Sequence, residues 1–213
     1  MNKDEFRRSA GLSAQLAEKW FAPLQAAMKE FSISTPLQQA HFIDQLGHES
    51  KGFSRISENL NYSVSGLARF GNRLTQTQCE QLGRKDNAPP LTPEQQRAIA
   101  NIIYGGRFGN RASDDGWRYR GRGLLQITLR DNYLACGRGI GLDLVAEPDL
   151  LLRETVAARS AGWFWKTHGC NALADACDVK TITQKINGGD SGIQERTALI
   201  QTAKIILCSK PTA

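Results

Sequence analysis

Apolar residues recur along the first part of the chain at spacings of three and four. Leu16, Trp20, Leu24, Ala27 and Phe31 form one stripe over 13–31, which predicts an amphipathic helix kinked at Pro23. Thr35 followed by Pro36 predicts a helix start, because the hydroxyl caps an orphan N–H and proline occupies a position that needs none. That helix should run to about Lys51 or Gly52. Thr92 and Pro93 repeat the signal and predict a helix through about Tyr104. Residues 154–167 predict another, with Val156, Ala157, Ala161 and Phe164 inward. A last one over 194–208 carries Leu199, Ala203 and Ile206. Between these two, Ile186-Asn187-Gly188-Gly189 reads as a turn. The stretch 105–123 is dense in glycine, with Asn110, Asp114 and Asp115 among them, and reads as loop. The short apolar pieces after Gly123 and the pair Asn132-Tyr133 fit either a small sheet or a helix start. The fold class is mainly α, with polar loops concentrated around 52–75, 105–132 and 187–193.

Composition narrows the picture modestly. Of 213 residues, 40% are hydrophobic and 23% charged, which is ordinary globular usage and excludes wholesale disorder. A chain of this length can bury a core without disulfide staples. The five cysteines are odd in number and match no zinc spacing. They read as free thiols of a protein made in a reducing compartment, with a Cys170–Cys177 bridge open after export. No metal site and no cofactor are expected. No apolar run reaches the length of a transmembrane helix. The charged start, Met-Asn-Lys-Asp-Glu-Phe-Arg-Arg, lacks the apolar region of a secretory signal. The net charge of +6 suits an anionic partner. The basic residues form no run and no recognised nucleic-acid motif, so a nucleic-acid binder is not expected.

The most informative local pattern lies in the second helix. Phe42, Leu46 and Phe53 share one helical face, and Glu49 falls inside that stripe, about 20° from Phe42 at 100° per residue. A glutamate there is desolvated unless something pairs with it, and desolvation disfavours the charged form. Either a general acid or a structural ion pair with arginine satisfies the pattern. Glu58 follows nine residues on, beyond Gly52. Two carboxylates flanking a pocket are the minimum apparatus of a glycosidase. His48 points about 100° away from Glu49. With no second histidine one turn on, it makes no zinc-protease helix. The segment Tyr119 to Thr128 lacks the third glycine and the Gly-Lys-Ser/Thr of nucleotide-binding loops. If it is extended, Gln126 and Thr128 share one face.

Taken together, these segments resemble glycoside hydrolase family 19, which holds chitinases and many bacteriophage endolysins. The resemblance is carried by His48-Glu49-Ser50, Glu58-Asn59-Leu60-Asn61-Tyr62-Ser63, Tyr119 to Thr128 and Asn132-Tyr133. Gly141 to Leu144 with Pro148, Trp163-Phe164-Trp165, and Ile186-Asn187-Gly188-Gly189 with Arg196 continue it. These pieces recur in the family's order over about residues 40–200. The Tyr-x-Gly-Arg-Gly-x-x-Gln-x-Thr element with an upstream His-Glu-Ser is its most specific part.

The resemblance implies a lysozyme-like fold of two lobes with an active-site cleft. It implies one catalytic domain over 1–213, with a core at 35–208 and the helical segment 1–34 packed on it. By position, Glu49 is implied as general acid, Glu58 as general base, and Thr128 as a holder of the attacking water. Gln126, Asn132 and Asn187 stand at sugar-contacting positions, Tyr62 lines the cleft, and Arg196 and His48 support the carboxylates. Two departures bear on substrate. The plant chitinases space their two glutamates much further apart, and they carry glutamate after Asn-Gly-Gly where this chain has Asp190. The short spacing is the form of phage and bacterial members. The expectation is therefore a monomeric endolysin hydrolysing β-1,4 bonds of peptidoglycan glycan strands with inversion, drawn to the anionic cell envelope by its charge. It would be made in the host cytoplasm and act at the wall after membrane permeabilisation. A chitinase, and a catalytically silent glycan-binding protein, are the alternatives.

Overall fold

The computed structural model describes residues 1–208. Among them are twelve α-helices: α1 (Lys3–Ser9), α2 (Ala14–Glu30), α3 (Pro36–Glu49), α4 (Val64–Leu67), α5 (Gln76–Leu82) and α6 (Pro93–Tyr104). They continue with α7 (Asp115–Arg118), α8 (Arg130–Ile140), α9 (Glu154–Thr167), α10 (Cys170–Asp175), α11 (Val179–Asn187) and α12 (Ile193–Cys208). No extended strand occurs among the described residues; β pairing is limited to isolated bridges such as Ser63 with Arg84. No described helix is long and apolar enough to cross a membrane. The chain divides into two compact units. The first takes residues 1–56, 122–126 and 149–208; the second takes 57–121 and 127–148.

The first unit is built on α2 packing against α9 and α12 packing against α3, with α1 touching both α2 and α12. Trp20, Phe42 and Trp165 are fully buried, each contributing about 1.5–3 kcal/mol of hydrophobic stabilisation. Phe42 meets Trp165 edge to face, with ring centroids 5.3 Å apart. The Trp20 indole donates to the Phe53 carbonyl at 3.0 Å, and Phe6 lies edge-on to Phe53. The N-terminal helices are thus part of this unit's core.

The Thr-Pro starts form as expected. Thr35 accepts from the Gln38 N–H while the Gln38 side chain accepts from Thr35, and Thr92 with Gln95 makes the same reciprocal cap. The far end of α3 differs from expectation. The helix stops at Glu49, where Ser50 folds its hydroxyl onto the Leu46 carbonyl at 2.6 Å. Lys51, Gly52 and Phe53 then take φ of 51°, 64° and 61°, reversing the chain. Phe53 therefore reaches the core by way of this turn, not along the helical stripe with Phe42 and Leu46. Two other faces hold in part: Val156, Ala157 and Ala161 of α9 and Ala203 of α12 are buried as expected. In α9, Trp165 is buried while Phe164 is half-buried and stacks on His168. In α12 the inward positions are Arg196, Ile200, Ala203 and Leu207, leaving Leu199 39% exposed and Ile206 half-buried. Arg196, buried for its ion pair, sets that phase.

The second unit contains α4 to α8 around Leu60, Leu67, Leu74, Ile99, Ala100 and Ile103. Three of its helices lie in stretches expected to be loop or left open: α4, α7 and α8. Asn132-Tyr133 is inside α8, so the helix alternative holds there and the sheet does not. Gly116 of α7 packs on α6 so closely that a Cβ would sit 2.4 Å from the Ala100 carbonyl oxygen and 2.6 Å from the Asn101 Cα.

Gly116→Ala should therefore destabilise, although glycine to alanine inside a helix ordinarily stabilises by up to about 1 kcal/mol. Overpacking against backbone costs about 1–3 kcal/mol. Thermal denaturation should show a fall of several degrees, on the order of 2–4 °C per kcal/mol at this chain length.

Candidate active site

Glu49 belongs to the first unit and Glu58 to the second. Each carboxylate is held by its own unit's machinery.

Glu49 is the last residue of α3, with its side chain 24% exposed. Its partner, Arg196, closes the first turn of α12 and is 1% exposed. One guanidinium nitrogen of Arg196 donates to Glu49 Oε1 and another to Gln45 Oε1. The burial expected at Glu49 thus falls mainly on the arginine. Gln45 in turn donates to Asp44 Oδ2 at 3.3 Å. Asp44 is buried, and burial raises its carboxyl to about 8 against the opposing pull of Arg196. His48 packs beside this group. Burial, then the Arg196 charge, lower its pKa despite Glu49 and Glu195, so it is neutral at neutral pH. Gly192 makes the approach possible: its φ is +78°, and a Cβ there would come within 2.6 Å of the His48 ring.

The turn that delivers Arg196 is fixed by Asn187. Its side chain accepts from the Gly189 N–H at 2.9 Å and donates to the Ser191 carbonyl at 3.0 Å. Asp190 accepts from Gln184 at 2.7 Å.

Glu58 is gripped from three sides within the second unit. Its backbone N–H donates to the Gly121 carbonyl at 2.9 Å, and the Gly121 N–H returns a bond to Oε2 at 3.1 Å. The Tyr104 hydroxyl donates to Oε1 at 2.5 Å. Burial, then the Glu58 charge and this hydrogen bond, push the Tyr104 phenol far above its ordinary range, so it stays a donor. Tyr62 is half-buried against Phe70 and is likewise raised, by burial first and Glu58 second. The Tyr119 segment is tied down around Glu58: Leu129 N–H donates to Tyr119 O at 2.8 Å, and Tyr133 OH to Arg120 O at 2.6 Å. The Asn132 side chain donates to the Thr128 carbonyl at 2.8 Å.

Gln126 has φ +47° and Leu129 φ +75°. The segment is a tight turn, not an extended strand, and Gln126 and Thr128 fall in different units. The alternation that would put them on one face does not hold. Three residues missed in the sequence complete these settings: Tyr104, Gln45 and Asp44. Gln45 and Asp44 carried a signal, being polar residues inside the apolar stretch from Phe42 to Leu46. Tyr104 carried none, since 46 residues separate it from Glu58.

Residues 93–192 match the family model described as chitinase class I, a stretch that begins after both glutamates. A "Glycosyl hydrolase family 19 domain-containing protein" of Haemophilus influenzae is 39% identical over 191 residues, 87% of this chain and 88% of that protein. The chain belongs to glycoside hydrolase family 19. Acidic endochitinase Q of Nicotiana tabacum is 38% identical over 117 residues, 54% of this chain and 40% of the plant protein. A bacterial family 19 chitinase superposes with a TM-score of 0.63 at 20% identity, covering 100% of this chain and 97% of its own. Chitinase C of Streptomyces griseus gives 0.63 at 17%, covering 98% and 93%. The mainly α, lysozyme-like fold is shared with these family 19 members, and the protein is a glycoside hydrolase.

Two predictions follow from this geometry. Tyr104→Phe removes one of the donors to Glu58; a hydrogen bond to a charged group is worth about 1.5–3 kcal/mol, so turnover should drop tenfold or more while circular dichroism stays unchanged. Asp44 has a folded pKa above its unfolded value of 3.8. Its contribution to stability is thus full below that value and is lost as pH rises through about 8. Asp44→Asn, which cannot ionise, should gain melting temperature relative to the parent between pH 4 and pH 8, read by parallel melts across that range.

Proposed function

We propose that this family 19 enzyme hydrolyses the β-1,4 bonds of bacterial peptidoglycan by single displacement. Glu49 gives its proton to the leaving oxygen, and Glu58 takes one from the attacking water. The contrast between their partners carries this reading. Glu49 faces a cation, Arg196, which stabilises the anion left once the proton has gone. Glu58 is held by neutral donors, Tyr104 and the Gly121 N–H, which orient a carboxylate without a pairing cation. In the same reading Thr128 orients the water. Gln126, Asn132, Asn187 and Tyr62 contact the sugars, and His48 packs behind Glu49.

Peptidoglycan is favoured by the nine-residue separation of Glu49 and Glu58, which the resemblance places with phage and bacterial members. The net charge of +6 suits an anionic envelope. As an endolysin it would be made in the host cytoplasm and would work at the wall once a separate protein had permeabilised the membrane. The second reading, cleavage of N-acetylglucosamine polymers, is favoured by the chitinase names of the solved neighbours.

Purified peptidoglycan and chitin oligomers should be digested in parallel, with products followed by mass spectrometry and early-time NMR. Hydrated muropeptides with an α-configured new reducing end are the expected result. Faster turnover of chitin oligomers would move the substrate to the second reading. An anhydro product, or a first-formed β anomer, would reject the mechanism. Glu49→Gln should lower the rate by about 10²-fold or more, the scale of a lost acid or base; near-normal activity in a folded variant would remove Glu49 from the role.

A further inference from the structure

Three adjoining polar side chains of the first unit are almost fully buried: Asp44 at 4% exposure, Gln45 at 0% and Arg196 at 1%. Hydrogen bonds link them in sequence to Glu49, from Asp44 to Gln45, Gln45 to Arg196 and Arg196 to Glu49. We propose that Asp44 is a positioning residue for Glu49, acting through the Gln45 amide and the Arg196 guanidinium. The proposal rests on Glu49 being the acid.

The direction of each bond follows from the groups themselves. A guanidinium has only donors, so the Gln45 atom facing it is the carbonyl oxygen. The Gln45 NH2 is then forced to the opposite side, where Asp44 Oδ2 accepts it at 3.3 Å. A side-chain amide can rotate by half a turn with little change of shape, and its hydrogen-bond partners decide which way it lies. Asp44 is the partner that decides at the NH2 end. A carboxyl offers a carbonyl oxygen in either protonation state, so it serves whether neutral or charged. If that acceptor is removed, the buried NH2 is left unsatisfied, and Arg196 alone is left to oppose the turned-over amide. In the turned-over state NH2 would confront Arg196, donor against donor. Arg196 would then hold Glu49 while losing its second anchor, and the carboxylate would follow the guanidinium. Asp44 and Glu49 are five residues apart on α3. The hydrogen-bonded path between them runs sideways, through α12.

Asp44→Leu removes the acceptor while keeping the branched outline of the side chain, whereas Asp44→Asn keeps an acceptor oxygen. On peptidoglycan, Asp44→Leu should lower kcat by roughly tenfold with KM within about twofold, as expected for a displaced acid and not a lost binding contact. Asp44→Asn should restore kcat to within about threefold of the parent. In a Gln45→Leu background, Asp44→Leu should add less than about a further twofold, because the residue it acts through is gone. Asp44→Ala takes the place of the leucine variant if that one fails to fold. Equal losses for the leucine and asparagine variants, or the same loss with and without Gln45, overturn the proposal. Glu49→Gln is run alongside: if it is nearly inactive, such results count against Asp44 alone, and if it is fully active, the assignment of Glu49 falls and the positioning role falls with it.

Discussion

A guanidinium taken out of water must find acceptors along fixed directions, and one left without them is strongly destabilising. Arg196 is in that position, and much of the first unit is arranged to meet its demands. The end of α3 supplies Gln45 and Glu49. The phase of α12 is set so that Arg196 points inward, with Ile200, Ala203 and Leu207 following at helical spacing. The Asn187-held turn and the left-handed Gly192 bring the start of α12 close enough to reach, past the His48 ring. Removing the arginine would leave a largely buried carboxylate and a buried amide without their cation.

The second unit meets a different problem with neutral groups. Glu58 lies outside any helix and would wander without restraint. Its backbone N–H donates to the Gly121 carbonyl, and its carboxylate accepts from the Gly121 N–H and from the hydroxyl at the end of α6. The cap at Thr92 and Pro93 starts that helix, and twelve residues later it ends on Tyr104. Helix length therefore decides where the phenol lands. The contrast between a cation-held carboxylate and a donor-held one is what the proposed mechanism uses.

Much of this was legible in the sequence. The Thr-Pro caps and the bounds of α9 rest on local chemistry, which a linear reading captures, and the family was legible through the resemblance of the segments around Glu49, Glu58 and Tyr119 to Thr128. The pattern Thr75-x-x-Gln78 caps α5 in the same way and could have been read too. Faces set by tertiary partners were not legible. Periodicity puts Leu199 or Ile206 inward as readily as Ile200 or Leu207, until Arg196 chooses between them. Phe53 fits the stripe of Phe42 and Leu46 only if the helix continues, and the Ser50 hydroxyl with the left-handed turn ends it first. The hydroxyl of Tyr104 on Glu58 is a contact between distant segments that no spacing announces.

The positions of Glu49 and Arg196 along their helices have an electrostatic consequence. The peptide dipoles of a helix sum to partial negative charge at its C-terminal end and positive charge at its N-terminal end. Glu49 is the last residue of α3, and Arg196 closes the first turn of α12. Each charge thus stands at the helix end whose field repels it, at a cost of about 0.3–1 kcal/mol apiece for exposed sites. Placed together, the carboxylate screens the amide end of α12 and the guanidinium screens the carbonyl end of α3. The ion pair acts as a bridge between two opposed helix dipoles. Deleting either charge would therefore unmask the repulsion felt by the other.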